Sequence, residues 1–138
     1  MGGTKAIATM KNFTTTETDK VEFTIGINPG YFHNNTAQEN LVQFNNLYMK
    51  VAAEVLEQTG IYISAVSTES KCLYHREWGC PDGGEETFSV TATRNPKFCP
   101  DSNNWVNSVV EVVKRLKAEL KQSTVTIEFS KVQILYLT

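Results

Sequence analysis

Two long apolar stripes at helical spacing, each flanked by segments that alternate apolar and polar residues, order this chain as β-α-β-β-α-β. That order, with a Pro-Asp-Gly-Gly turn between the two middle strands, predicts a ferredoxin-like α+β sandwich: an antiparallel sheet with two long helices on one face. Size agrees. A chain of 138 residues, 41% hydrophobic and 20% charged, suits one domain whose core needs no staple. The expected division is an N-terminal arm over 1–19, flexible or forming an extra edge strand, and a single domain over 20–138.

The first strand is the clearest element. Val21, Phe23, Ile25 and Ile27 alternate with Glu22, Thr24, Gly26 and Asn28, the period of two of a strand buried on one face. Asn28-Pro29-Gly30 ends it. Thr36 and Glu39 have capping-box spacing, so each side chain can satisfy a backbone N–H where the first helix starts. Leu41, Phe44, Tyr48, Val51 and Val55 then form one stripe, and Gly60 supplies the stop.

The hairpin follows. Ile61 to Val66 reads as an apolar strand, continued by Leu73 to Trp78 after the polar interruption Ser67 to Lys71, which is either a bulge or a break between two strands. Beyond the turn at Pro81-Asp82-Gly83-Gly84, Phe88, Val90 and Ala92 alternate with Thr87, Ser89, Thr91 and Thr93. The second helix begins after Pro100 with Asp101 or Ser102 as its cap, and buries Val106, Val109, Val113, Leu116 and Leu120. Glu111 and Arg115 are spaced for an i,i+4 pair on its wet face. The last strand runs from Thr124 to about Tyr136. It is one-sided as far as Phe129 and apolar on both faces from Val132 to Leu137. A strand apolar on both sides needs cover on both sides. A homo-oligomer is therefore expected, with Ile134 and Tyr136 buried between chains or under the N-terminal arm.

Composition excludes some partners. A net charge of −2 leaves no broad basic face for phosphates, and nucleic acid is not expected as a partner. The open face of the sheet would carry Glu22, Thr24, Thr87, Ser89, Thr91, Thr93, Thr126 and Glu128, without the aromatics on which RNA-binding domains of this architecture stack bases. No apolar run approaches the ~20 residues of a membrane span. The N-terminus, Met1-Gly2-Gly3-Thr4-Lys5, lacks an apolar h-region, and three cysteines form no framework. A cytoplasmic protein with reduced thiols is the expectation.

Chemistry-bearing motifs are sparse. There is no Gly-rich phosphate loop, zinc-finger pairing or nucleophile elbow. Cys72, His75, Cys80 and Cys99 are the right types for zinc. Read as extended chain, however, Cys72 and Cys80 stand on the order of 25 Å apart, and Cys99 falls at the opposite end of the sheet. No metal, no cofactor and no structural disulfide are expected.

What the topology does gather is a set of loop residues. The turn after the first strand and the tip of the hairpin leave the sheet at one end. Tyr31, His33 and Asn35 would meet His75, Arg76 and Trp78 there, with Arg76 placed to take a small anionic ligand through its planar fork. The expectation that follows is a non-catalytic oligomeric domain that binds a small ligand or a protein partner, with no catalytic residues. The alternative is a small hydrolase-like or isomerase-like enzyme using His33, His75, Arg76 and Cys80.

Overall fold

A computed structural model describes residues 13–27 and 37–137. Its elements are β1 (Thr16–Gly26), α1 (Ala37–Thr59), β2 (Val66–Cys72), β3 (Glu85–Thr93), α2 (Ser102–Glu119) and β4 (Ile127–Ile134), with a short 3-10 turn over Arg76–Trp78. The order is the predicted β-α-β-β-α-β. Four antiparallel strands form one sheet in the order β2-β3-β1-β4, which is the ferredoxin-like arrangement.

One core explains why the helices lie where they do. β1 turns Val21, Phe23 and Ile25 to the helices, and β3 adds Phe88, Val90 and Ala92. From α1 come Phe44, Leu47, Tyr48, Val51, Ala52 and Val55, so the predicted stripe is buried almost intact. α2 buries Trp105, Val109, Val112, Val113 and Leu116. Val106, expected inside, is only half-buried, because Trp105 takes the place beside it. Phe44 and Phe88 stack with centroids 4.4 Å apart and tie α1 to β3. The two helices also meet through a polar contact, in which the fully buried Ser108 hydroxyl donates to Thr59 Oγ1 at 3.1 Å.

The caps follow the local chemistry. Asp101 precedes α2, and its carboxylate accepts from the Asn104 backbone N–H at 3.1 Å. Gly60 takes a φ of 79° after α1, a left-handed conformation that ends the helix and that a side chain rarely adopts. Glu111 and Arg115 pair at 3.1 Å. Thr36, the expected cap of α1, lies outside the described residues.

The hairpin differs from the sequence expectation. Ile61 to Ala65 is not a strand; Ile63 is buried, but its carbonyl accepts from the Tyr48 hydroxyl at 2.7 Å instead of joining a ladder. β2 is the polar stretch read as an interruption, and Leu73 to Trp78 leaves the sheet. The physical reason is position. β2 is an edge strand paired with β3 alone, where polar residues blunt an exposed edge and apolar ones would invite aggregation.

Both ends of the sheet order also shift. β4 stops at Ile134 and pairs with the N-terminal half of β1, from Thr16↔Ile134 to Phe23↔Ile127. β1 therefore starts at Thr16, and residues 16–19, expected in the arm, belong to the sheet. Val132 and Ile134 are half-buried opposite Thr18 and Thr16. Tyr136 donates to Asn95 Oδ1 at 2.6 Å, with the Lys97 ammonium 4.8 Å from its ring centroid.

An ion cluster without a sequence signature closes this end. Asp19 and Arg94 are both buried and pair at 2.7 Å. Ser102, the first residue of α2, donates to the same carboxylate at 2.6 Å, and Lys131 of β4 reaches its other oxygen. Arg94 donates onward to the Cys99 carbonyl at 2.9 Å, while its own carbonyl accepts from Thr18 Oγ1 at 2.9 Å. Burial alone pushes the Asp19 carboxyl up, but the bonds from Lys131, Ser102 and Arg94 outweigh it and hold the group at about 2. A carboxyl lowered in the folded state stabilises at pH values above its unfolded pKa, and that contribution is lost as pH falls. We expect on the order of 2 kcal/mol to disappear between pH ~4 and ~2 in urea melts of the wild-type protein. Asp19→Asn, which leaves Arg94 buried without its counter-ion, should cost about 3 kcal/mol or more at pH 7 and remove that acid limb.

Candidate functional site

β1 and β2 end, and β3 begins, at the other end of the sheet, where Gly26 pairs with Thr87 and Cys72 with Glu85. Chain packing is tight there. A Cβ on Gly26 would stand 2.6 Å from Gln122 Oε1 and 2.7 Å from Glu85 Oε2, so a side chain there would push the ends of both aside. Glu85 in turn accepts from the Tyr74 hydroxyl at 2.9 Å, and this bond is the main reason the phenol is pushed up from its ordinary range.

Beside this corner, between β2, β3 and the first turn of α1, lies a cavity of about 170 Å³. The register explains its lining. Glu69 faces Phe88, Ser70 faces Thr87 and Lys71 faces Glu86 across the β2–β3 ladder. Directly opposed residues share a face, so Glu69, Lys71, Glu86 and Phe88 lie on the helix side. Ser70 and Thr87 point to the open side, where their hydroxyls meet at 2.8 Å and begin a row that continues through Ser89 to Thr24. Phe88 forms an apolar wall held by its stack on Phe44. Lys71 and Glu86 form an exposed pair at 3.6 Å. Glu69, exposed at the mouth, has no ion-pair partner among the described residues.

Asn40 completes the cavity from α1. It is 5% exposed, yet its Oδ1 has no hydrogen-bond donor among the described residues. Buried amide oxygens are nearly always paired, and an unpaired one is costly. Neither Asn40 nor Glu69 was among the residues expected to bind. The sequence carries a signal for the first. Position 40 falls one helical turn before Phe44, on the buried stripe, where an amide is out of place.

Of the expected loop residues, His75, Arg76 and Trp78 lie at this end of the sheet but do not line the cavity. His75 caps the 3-10 turn, its Nδ1 accepting from the Glu77 backbone N–H at 3.0 Å, and its ring lies 5.6 Å from that of Trp78. Arg76 pairs with Asp82 at 3.2 Å in open solvent. Trp78 is 78% exposed. Tyr31, His33 and Asn35 lie outside the described residues. The extended-chain estimate for Cys72 and Cys80 is overturned, because the 3-10 turn folds the connection back and brings Cys80 Sγ to 3.8 Å from the Cys72 carbonyl. Cys99 stands apart, beside Arg94. Among the described residues, no three His, Cys, Asp or Glu side chains converge as a metal site would require, and no helix is long and apolar enough to cross a membrane.

Solved structures resemble this chain to differing degrees. A phage SAM lyase in its apo state is 17% identical over 87% of this chain and 87% of its own, with a TM-score of 0.53. A phage SAM lyase in complex with S-methyl-5'-thioadenosine is 15% identical over 86% of this chain and 90% of its own, with a TM-score of 0.49. A PII-like signaling protein from Thermus thermophilus is 11% identical over 87% of this chain and 91% of its own, at a TM-score of 0.39. No curated protein matches the chain. The family model for SAM lyase, by contrast, matches residues 16–138, from the first residue of β1 to the C-terminal residue. That match overturns the expectation of a non-catalytic binding module, and it departs equally from hydrolase-like or isomerase-like chemistry: the chain belongs to the SAM lyase family.

Proposed function

We propose that this protein cleaves S-adenosylmethionine without water and releases S-methyl-5'-thioadenosine. The match of residues 16–138 to the SAM lyase family carries the proposal. The thioadenosine bound by a phage SAM lyase suggests which bond breaks. Sulfur keeps its methyl and adenosyl groups, so the C–S bond to the amino-acid chain is lost, and its electron pair leaves with sulfur. In a lyase the carbon fragment is then closed by an electron pair from within itself, with no water added. The leaving thioether is neutral and needs no proton. The site therefore has no need of a general acid at sulfur. Its tasks are to hold a cationic substrate and to keep water away.

The cavity suits those tasks. Phe88 offers an apolar wall, and the Glu69 carboxylate stands at its mouth without a cation of its own among the described residues. A carboxylate within about 4 Å of a cation at the surface of a protein gains up to about 4 kcal/mol. At about 170 Å³ the cavity is smaller than the roughly 300–1,000 Å³ typical of ligand pockets. Further walls are needed. A second copy of the chain is the source we propose, in line with the outer edge of β2, which borders the cavity and is unpaired among the described residues. His75, Arg76 and Trp78 would form the outer rim, together with Tyr31, His33 and Asn35, and Arg76 would exchange Asp82 for the substrate carboxylate.

Incubating the purified protein with S-adenosylmethionine should release S-methyl-5'-thioadenosine, measured by mass spectrometry; an unchanged substrate pool would overturn the assignment. Glu69→Gln should lower kcat/KM at least about tenfold, with the melting temperature unchanged. Arg76→Ala should raise KM severalfold and alter stability by less than about 1 kcal/mol, since its pair with Asp82 is solvent-exposed. Sedimentation should find the wild type oligomeric at micromolar concentration and Ile134→Lys monomeric. A wild-type monomer would refute the shared site.

A further inference from the structure

On the footing of the S-adenosylmethionine cleavage proposed above, we infer that the cavity beneath α1 holds the adenine ring and that Asn40 selects a 6-aminopurine over a 6-oxopurine. Three observations converge on this assignment. The first is volume. An apolar protein cavity of roughly 150 Å³ takes one benzene ring, so about 170 Å³ fits a flat aromatic base and not a whole nucleoside. The second is the wall. Phe88, 2% exposed and fixed by its 4.4 Å stack on Phe44, contributes a rigid apolar edge to the cavity lining.

The third is Asn40 itself. Its Oδ1 is buried without a donor among the described residues, on a side chain that is 5% exposed and lines the cavity. A primary amide carries one acceptor and one donor side by side, the complement of adenine N6–H and N7. On this N6–N7 edge, the one assigned here to Asn40, a 6-oxopurine cannot satisfy it in either orientation. With Oδ1 toward position 6, two acceptors face each other; with the amide turned over, Oδ1 faces N7, again an acceptor. With the base held by its N6–N7 edge, the unpaired oxygen becomes paired only when position 6 carries an amine. Glu69, farther out at the mouth, is left to the cationic part of the substrate.

Calorimetric titration with S-methyl-5'-thioadenosine and its 6-oxo counterpart, 5'-methylthioinosine, tests the assignment apart from turnover. The wild type should prefer the amino form by about tenfold to a hundredfold, the range expected for leaving a buried partner unpaired. Asn40→Leu, similar in size but without polar atoms, should bring the two affinities within about threefold of each other. Asn40→Asp keeps the acceptor toward position 6 and should bind more weakly while retaining the preference. It also decides the matter should the leucine variant not fold. Equal wild-type affinities, or a folded leucine variant that still prefers the amino form, would overturn the role of Asn40 even where S-adenosylmethionine is cleaved. A preference for the amino form with no cleavage would support Asn40 and refute the lyase assignment. Failure to bind either nucleoside would refute the assignment of the cavity to the base, whether or not S-adenosylmethionine is cleaved.

Discussion

The Asp19–Arg94 ion pair is the constraint on which the rest of this fold depends. Asp19 lies on β1 and Arg94 directly follows β3, the two central strands, and their remaining bonds reach the first residue of α2, the loop before it and the edge strand β4. Isolated buried charges are prohibitive, but here every carboxylate oxygen has a donor and the guanidinium has acceptors on two sides. Such a cluster favours one arrangement over its neighbours. Sliding β1 by one residue would put Asp19 on the open face and leave Arg94 buried alone. The same register places Gly26 beside Glu85 and Gln122, at the far end of β1, where the opposite corner is built.

The two ends of the sheet thus have opposite characters. At the Asp19 end, the polar groups are paired with one another. At the cavity end, the pairing is incomplete: Asn40 has a buried oxygen without a donor, and Glu69 stands without a cation among the described residues. Completed polar networks hold a fold together, while incomplete ones beside a cavity are places for a ligand to finish. The contrast within one small molecule is what directs attention to α1, β2 and β3. The exposed loop, where histidine and arginine are more conspicuous, has its polar groups engaged locally.

The chemistry we propose for this site is modest in proton transfers and demanding in placement. A sulfonium leaves as a neutral thioether, so its charge disappears as the C–S bond stretches. Binding that charge too tightly would stabilise the substrate more than the transition state. An exposed carboxylate at a cavity mouth, screened by water until the substrate covers it, attracts the cation without trapping it. Binding energy is better drawn from the uncharged base, far from the reacting bond, and a rigid aromatic wall with one amide is a way to draw it.

Periodicity made the architecture legible. The alternation from Val21 to Ile27, the stripe from Leu41 to Val55 and the cap at Asp101 are local patterns, each imposed by the geometry of a single element, and together they determine the β-α-β-β-α-β order. The two ends of the sheet were legible only as topology. Their contents were not, because each depends on residues far apart in the chain. Asp19 and Arg94 are separated by 75 positions, and nothing local distinguishes either from a solvated charge. β2 was misread for the same reason. An edge strand is defined by what lies beside it, and Ser67 to Lys71 could be recognised as sheet only once β3 was placed against it. By itself the sequence determined the order of the elements and the apolar faces of both helices, β1 and β3; the tertiary structure alone decided which stretch forms the edge strand β2 and which polar groups become partners, because pairing is a property of distance in space and not of spacing along the chain.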